Sequence, residues 1–168
     1  MDENKAGSPA LSEQLFGPRL PTWEELPDLE LYMDQVLSLA ERWLGAEGKG
    51  LTASMVNNYV KLGVVPAPVK KRYSRAHLAT LLMVCLLKPV LPIASVQALL
   101  SAALAEAPLE TVYARFRAEH EQAAARAREA AMGLTAPGAD GVLRAALLAG
   151  AEQHMALRLL SLLRGENS

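Results

Sequence analysis

A single cysteine, Cys85, excludes an internal disulfide and a multi-thiolate metal site, and a reducing compartment is the simple reading. Aromatic residues are scarce at 5%, while alanine and leucine abound, a balance that favours helices over strands. The most apolar stretch, residues 77–105, is broken by His77, Lys88, Pro89, Pro92 and Gln97, so it gives no uninterrupted span long enough for a bilayer. It reads as two buried helices. Residues 1–10 are polar and begin acidic, unlike a secretory signal, and a cytoplasmic location is expected. The catalytic signatures are lacking as well. There is no glycine-rich phosphate loop after a strand, no GxSxG elbow and no HExxH. His77, His120 and His154 stand apart, with no pair at i, i+4. No enzyme activity, cofactor or metal is expected.

Carboxylates are missing from one long segment. Residues 48–105 hold no Asp or Glu and seven Lys or Arg, although the chain carries 18 acidic residues. Residues 1–47 hold ten acidic residues against three basic, and residues 106–168 hold eight against seven. The net charge of −1 therefore hides a strongly basic middle third. A basic segment is most often a solvated face. One of this length and purity favours a polyanion, because each phosphate it neutralises releases a counterion.

What is present, 51% hydrophobic and 21% charged, suffices for a real core. Residues 1–20, with Gly7, Pro9, Gly17 and Pro18, read as a loose tail. Asp28 can cap a helix over 29–44, with Leu29, Tyr32, Met33, Val36, Leu37, Ala40, Trp43 and Leu44 on its apolar face. Thr52 can cap a second helix over 52–62, closed by Gly63, with Met55, Val56, Tyr59 and Leu62 facing the core. Prolines 66 and 68 force an extended passage. Lys70-Lys71-Arg72-Tyr73 follows as a short basic strand or hairpin edge. Ser74 caps a third helix to about Lys88, a fourth spans about 93–105, and two longer ones cover about 109–132 and 140–164. The fold expected is all-α, with at most a short wing hairpin.

Helix, glycine turn, Thr-capped helix, basic extended segment and helix is the order of a winged helix-turn-helix. Such a domain is expected over 21–105, with a helical dimerisation region over 106–168. The residues expected to face DNA are Thr52, Ser54, Asn57, Asn58, Tyr59 and Lys61 on the reading helix, and Lys70, Lys71, Arg72, Tyr73 and Arg75 on and beside the wing. Asparagine can pair bidentately with adenine, and the wing cations would fix register on phosphates. Tyrosines at such positions are more often half-buried packing, and Cys85 lies on an apolar stripe as a core thiol.

Leu51-Thr52, Val56, Tyr59, Leu62-Gly63-Val64-Val65, Arg72-Tyr73-Ser74, Leu78 and Leu81 resemble the pattern of MerR-type regulators over residues 51–100. That resemblance implies dimers reading double-stranded DNA through a recognition helix and a wing. It departs at Asn57, where an arginine is common, and in its short wing and long inter-helix loop. Trp23-Glu24-Glu25-Leu26-Pro27, residues 31–36, Asn57-Asn58-Tyr59-Val60-Lys61 and residues 70–73 resemble more widely an uncharacterised bacterial family with a MerR-like domain, usually filed as a domain of unknown function.

Leu109, Val112, Tyr113, Phe116, His120, Ala123, Ala124 and Ala127 form a stripe for another helix, and the last helix is apolar on more than one face. Burial of that helix on two sides, as in a homodimer, is expected. Two rival readings stand beside the DNA-binding regulator. One is a protein-interaction adaptor on the same scaffold, and the other a sensor with a small-molecule effector between its helical arms.

Overall fold

The computed structural model describes residues 19–45, 48–132 and 138–165. Of the tail expected over 1–20, residues 1–18 lie outside the described residues, as do Gly133 and Pro137 at the expected turn between the two long helices. The described chain forms six helices: α1 Met33–Leu44, α2 Ala53–Lys61, α3 Arg75–Leu87, α4 Ile93–Glu106, α5 Leu109–Met132 and α6 Ala139–Leu163. Among the described residues β-structure is limited to two isolated antiparallel bridges, Leu31 with Tyr73 and Val69 with Arg72. The all-helical expectation holds. No described helix is long and apolar enough to cross a membrane.

The core is built around α3, which is apolar on all sides and buried from His77 to Cys85. Helices α1 and α5 flank it, α2 packs on α1, and α4 meets both α5 and α6. Thr80, the hydroxyl inside α3, donates to the Ala76 carbonyl at 2.9 Å and so carries no unpaired group into the core. Of the two helices read from residues 77–105, α3 is buried along its whole middle, with Leu86 and Leu87 half-buried at its end. Helix α4 buries Val96 and Leu100 but leaves Leu104 exposed.

Helix α1 begins at Met33, later than the residue 29 expected from periodicity. The reason is tertiary. Leu31 exchanges two backbone hydrogen bonds with Tyr73, at 2.8 and 2.9 Å, and is held extended. The Gln35 side chain then accepts the Tyr32 N–H at 2.8 Å, capping the helix from its own first turn where Asp28 was expected to do so. Leu29 and Tyr32, assigned to the apolar face, are consequently exposed.

The segment before α1 is fastened to the body by side chains. The buried Tyr113 hydroxyl donates to the Pro21 carbonyl at 3.0 Å, and Arg117 Nε to the Leu20 carbonyl at 3.2 Å. Arg75 Nε donates to the Leu26 carbonyl at 3.1 Å. Leu20 and Leu26 are thereby core residues. Helix α5 is part of the same core through Val112 and Tyr113, with Phe116 half-buried beside them. Beyond Arg117 its side chains are mostly exposed. Helix α6 touches the body chiefly through Leu160, Ala156 and Leu157, and Gln153 Nε2 donates to the Val90 carbonyl at 2.6 Å.

Candidate functional site

Helix α2 is short, and its ends are well specified. The Thr52 hydroxyl accepts the Met55 N–H at 3.3 Å. At the other end Gly63 takes φ +70°. Its N–H bonds the Val60 carbonyl at 3.0 Å, while the Val64 N–H reaches back to the Tyr59 carbonyl at 3.0 Å. This pair of bonds is a Schellman closure, which needs a left-handed residue and so favours glycine. Val56 and Tyr59 turn inward. Ser54, Asn57, Asn58 and Lys61 are exposed. Their spacing of i, i+3, i+4 and i+7 puts all four on one face, and their side chains are small, amide or cationic.

Val64 and Val65 return the chain to the core, and residues 66–68 lead to a two-residue hairpin. Val69 and Arg72 exchange backbone bonds at 3.1 and 2.8 Å. Between them Lys70 and Lys71 have φ +48° and +63°. Positive φ at both central positions is a type I′ turn, which normally calls for Asn-Gly. Holding lysine in the left-handed region costs about 1 kcal/mol per residue. Both lysines are exposed, so the strain keeps two ammonium groups at a tight tip.

The hairpin is locked from below. Tyr73 is 4% exposed and sits edge-on to His77, with ring centroids 5.6 Å apart. His77 Nδ1 lies 3.0 Å from the Ser74 nitrogen, and Nε2 lies 3.0 Å from the Ala67 carbonyl oxygen. The Ser74 N–H donates to Nδ1, which leaves the ring proton on Nε2 to donate to Ala67. One neutral imidazole thus ties the passage into the hairpin to the start of α3. Isolated in sequence, His77 is a structural clamp, and only the tertiary contacts reveal that role.

The expected site residues divide into three groups. Thr52, Ser54, Asn57, Asn58, Lys61, Lys70 and Lys71 are exposed on adjoining segments. Tyr59, at 2% exposure, and Tyr73 belong to the core, where their rings pack. Arg75 is committed to Leu26, stands 3.8 Å from Asp28 and lies 5.7 Å from the Trp23 ring centroid. Arg72 is intermediate. Its guanidinium stacks 3.6 Å over the exposed Tyr32 ring. That contact crosses from the hairpin to the α1 N-cap, and sequence spacing gave no sign of it. Arg75–Asp28 is the one ion pair involving a cation of residues 48–105 among the described residues. Lys49 and Lys88, also in this segment and exposed, were not among the expected residues.

The remaining chemistry is sparse. Burial pushes the Cys85 thiol up to about 11, only partly offset by the Lys88 charge, so the nucleophilic thiolate is disfavoured. Among the described residues no three His, Cys, Asp or Glu side chains gather as a metal site. The arrangement suits recognition by hydrogen bonds and cationic contacts.

The described chain is all-helical, with an acid-free polar face on α2 followed along the sequence by a strained dilysine hairpin. The chain belongs to the family of the domain of unknown function DUF1836, which matches it over residues 21–116. The match starts at Pro21, whose carbonyl Tyr113 holds, and stops at Phe116, where the buried part of α5 ends. No curated protein and no solved structure matches the chain.

Proposed function

We propose that the chain is a MerR-like, sequence-specific DNA-binding regulator without catalytic activity, with α2 as recognition helix and the Val69–Arg72 hairpin as wing. The observation that carries this reading is the exposed face Ser54, Asn57, Asn58 and Lys61, followed along the chain by Lys70 and Lys71 at an exposed turn, in a segment without a carboxylate. Asn57 and Asn58 have the donors and acceptors to read base edges. The two turn lysines, with Arg72 once released from Tyr32, suit flanking phosphates. Tyr59, Tyr73 and Arg75 act from inside, by fixing the position of helix and hairpin.

The working unit is a homodimer, as two half-sites about one helical turn apart require. Helix α6 supports this. Val142, Leu143, Leu147, Leu148, Met155, Leu159, Leu162 and Leu163 are 57–69% exposed. Leu148, Met155, Leu159 and Leu162 share one side of the helix and form an apolar stripe that no described part of the chain covers. Leu148, Met155 and Leu162 recur every seven residues, the spacing of a helix–helix seam.

The decisive experiment is titration of random duplex DNA at several salt concentrations, on protein of measured mass in solution. Binding by a dimer with affinity falling steeply as salt rises is expected. Replacing Lys70, Lys71 and Arg72 together with alanine removes three cations from each of the two wings and should flatten the log–log salt slope by about 5. Absence of binding at low salt would overturn the DNA reading. The apolar face of α6 would then favour the protein-interaction adaptor.

A further inference from the structure

A half-open depression of about 320 Å³ lies between α2 and the end of α3. Leu51, Met55 and Tyr59 line it from α2 and its approach, and Cys85, Lys88 and Pro89 from the end of α3. Its volume is at the lower end of the roughly 300–1,000 Å³ typical of small-molecule sites. The lining is mostly apolar, and its one cation is the ammonium of Lys88. That ammonium has no carboxylate partner among the described residues and stands 5.4 Å from the Tyr59 ring centroid. No acidic residue occurs in residues 48–105 to supply one locally.

From this juxtaposition we infer that the depression binds a small apolar monocarboxylate, its hydrocarbon part against Leu51, Met55, Tyr59 and Cys85 and its carboxylate on Lys88. The charge match decides the class. A cation would meet Lys88 unfavourably, and a neutral apolar molecule would leave the exposed ammonium hydrated and gain nothing from it. A carboxylate gains a charge-assisted hydrogen bond there. Cys85 contributes only surface, because its buried thiol stays protonated well above neutral pH. Met55 and Tyr59 lie on the same helix as Asn57, Asn58 and Lys61, so occupancy is registered by α2. The site stands on its own lining and does not depend on the outer face binding DNA.

The test is a titration of full-length protein carrying ¹³C-methyl methionine with sodium octanoate, followed by NMR. Met55 lines the depression, and Met155 on the exposed face of α6 reports adventitious binding there. The Met55 resonance should shift saturably while Met155 stays in place. Lys88 is exposed, so Lys88→Met should fold normally and weaken octanoate about tenfold, with Lys88→Arg restoring most of the affinity. Octan-1-ol should bind wild-type protein about tenfold more weakly than octanoate, the loss of the same contact. Octanoate should also slow alkylation of Cys85, the sole cysteine. An unmoved Met55 at about 10 mM octanoate, the affinity of weak binders lying near 1 mM, would overturn the proposal. So would equal binding of octanol, or unchanged affinity in Lys88→Met. A duplex-DNA titration of the same samples is read separately, and its failure would leave this result intact.

Discussion

Two leucine-rich helices of this chain meet opposite fates. In α3, Leu78, Leu81 and Leu82 are at most 1% exposed. In α6, Leu143, Leu147 and Leu148 are 57–66% exposed. Both helices are apolar on more than one face, so periodicity cannot tell them apart. The difference is what surrounds them. Helix α3 lies between α1 and α5, whereas α6 meets α4 through its C-terminal half. The body that matches the family, residues 21–116, closes its own core, and the arm beyond it displays surface. An apolar helix is therefore evidence of burial somewhere, and the partner has to be found separately.

The largest expected effect breaks this comparison directly. Leu82→Ala should destabilise the protein by about 3 kcal/mol, through lost transfer energy and a residual cavity. Leu148→Ala should cost less than about 0.5 kcal/mol in a monomer, being a surface change. Urea unfolding at two protein concentrations checks both. A large, concentration-dependent cost for Leu148→Ala would show that a second copy covers the arm.

Alkaline pH should strike the body next. Burial raises Cys85 from its ordinary 9.0 to about 11, and raises Tyr73 and Tyr113 above their usual value of 10.0. The unfolded chain loses these protons first, so between pH 9 and 11 it binds fewer protons than the folded one. Stability must then fall as pH rises across that window, by about 2 kcal/mol from Cys85 on an order-of-magnitude basis. Urea midpoints measured from pH 7 to 11 should decline, and Cys85→Ala should reduce the decline. A flat profile would mean that these groups are as hydrated as in the unfolded chain.

The hairpin is the exception within the body. Lys70→Asn with Lys71→Gly should stabilise the fold by about 1 kcal/mol, because the turn then has residues suited to positive φ. The same change should weaken duplex binding through the loss of two cations. Thermal unfolding and DNA titration would show opposite signs. Losses in both would mean that the lysines stabilise the turn themselves.

Within the body, Gly63→Ala should have the smallest effect. The substitution forces a Cβ into the left-handed closure of α2, at about 1 kcal/mol or less, with Gln97 Nε2 3.5 Å from the new carbon. Chemical denaturation tests it, and an unchanged midpoint would mean the closure is not strained by alanine.

Much of the architecture was legible because local chemistry specifies it. The Thr52 cap and Gly63 closure bound α2 in sequence as they do in space. The long alanine-rich stretch gave α5 its observed limits, 109–132. The outward stripe Ser54, Asn57, Asn58 and Lys61 follows from helical spacing once Val56 and Tyr59 are assigned inward. The start of α1 was not legible, because the Leu31–Tyr73 bridge joins residues 42 positions apart. Nor was the inward commitment of Arg75, which depends on Leu26 and Asp28 coming to the start of α3.

The sequence by itself determined an all-helical chain, the helices' approximate limits and the concentration of positive charge in its middle third, since these depend on composition and short-range spacing. Tertiary structure alone decided that Tyr73 faces inward, that Lys70 and Lys71 occupy a strained turn, that Lys88 borders a depression under α2 and that the chain's own described helices leave most of α6 bare. Each of these depends on which distant segments share the space around a residue, a relation that neighbours along the chain do not encode.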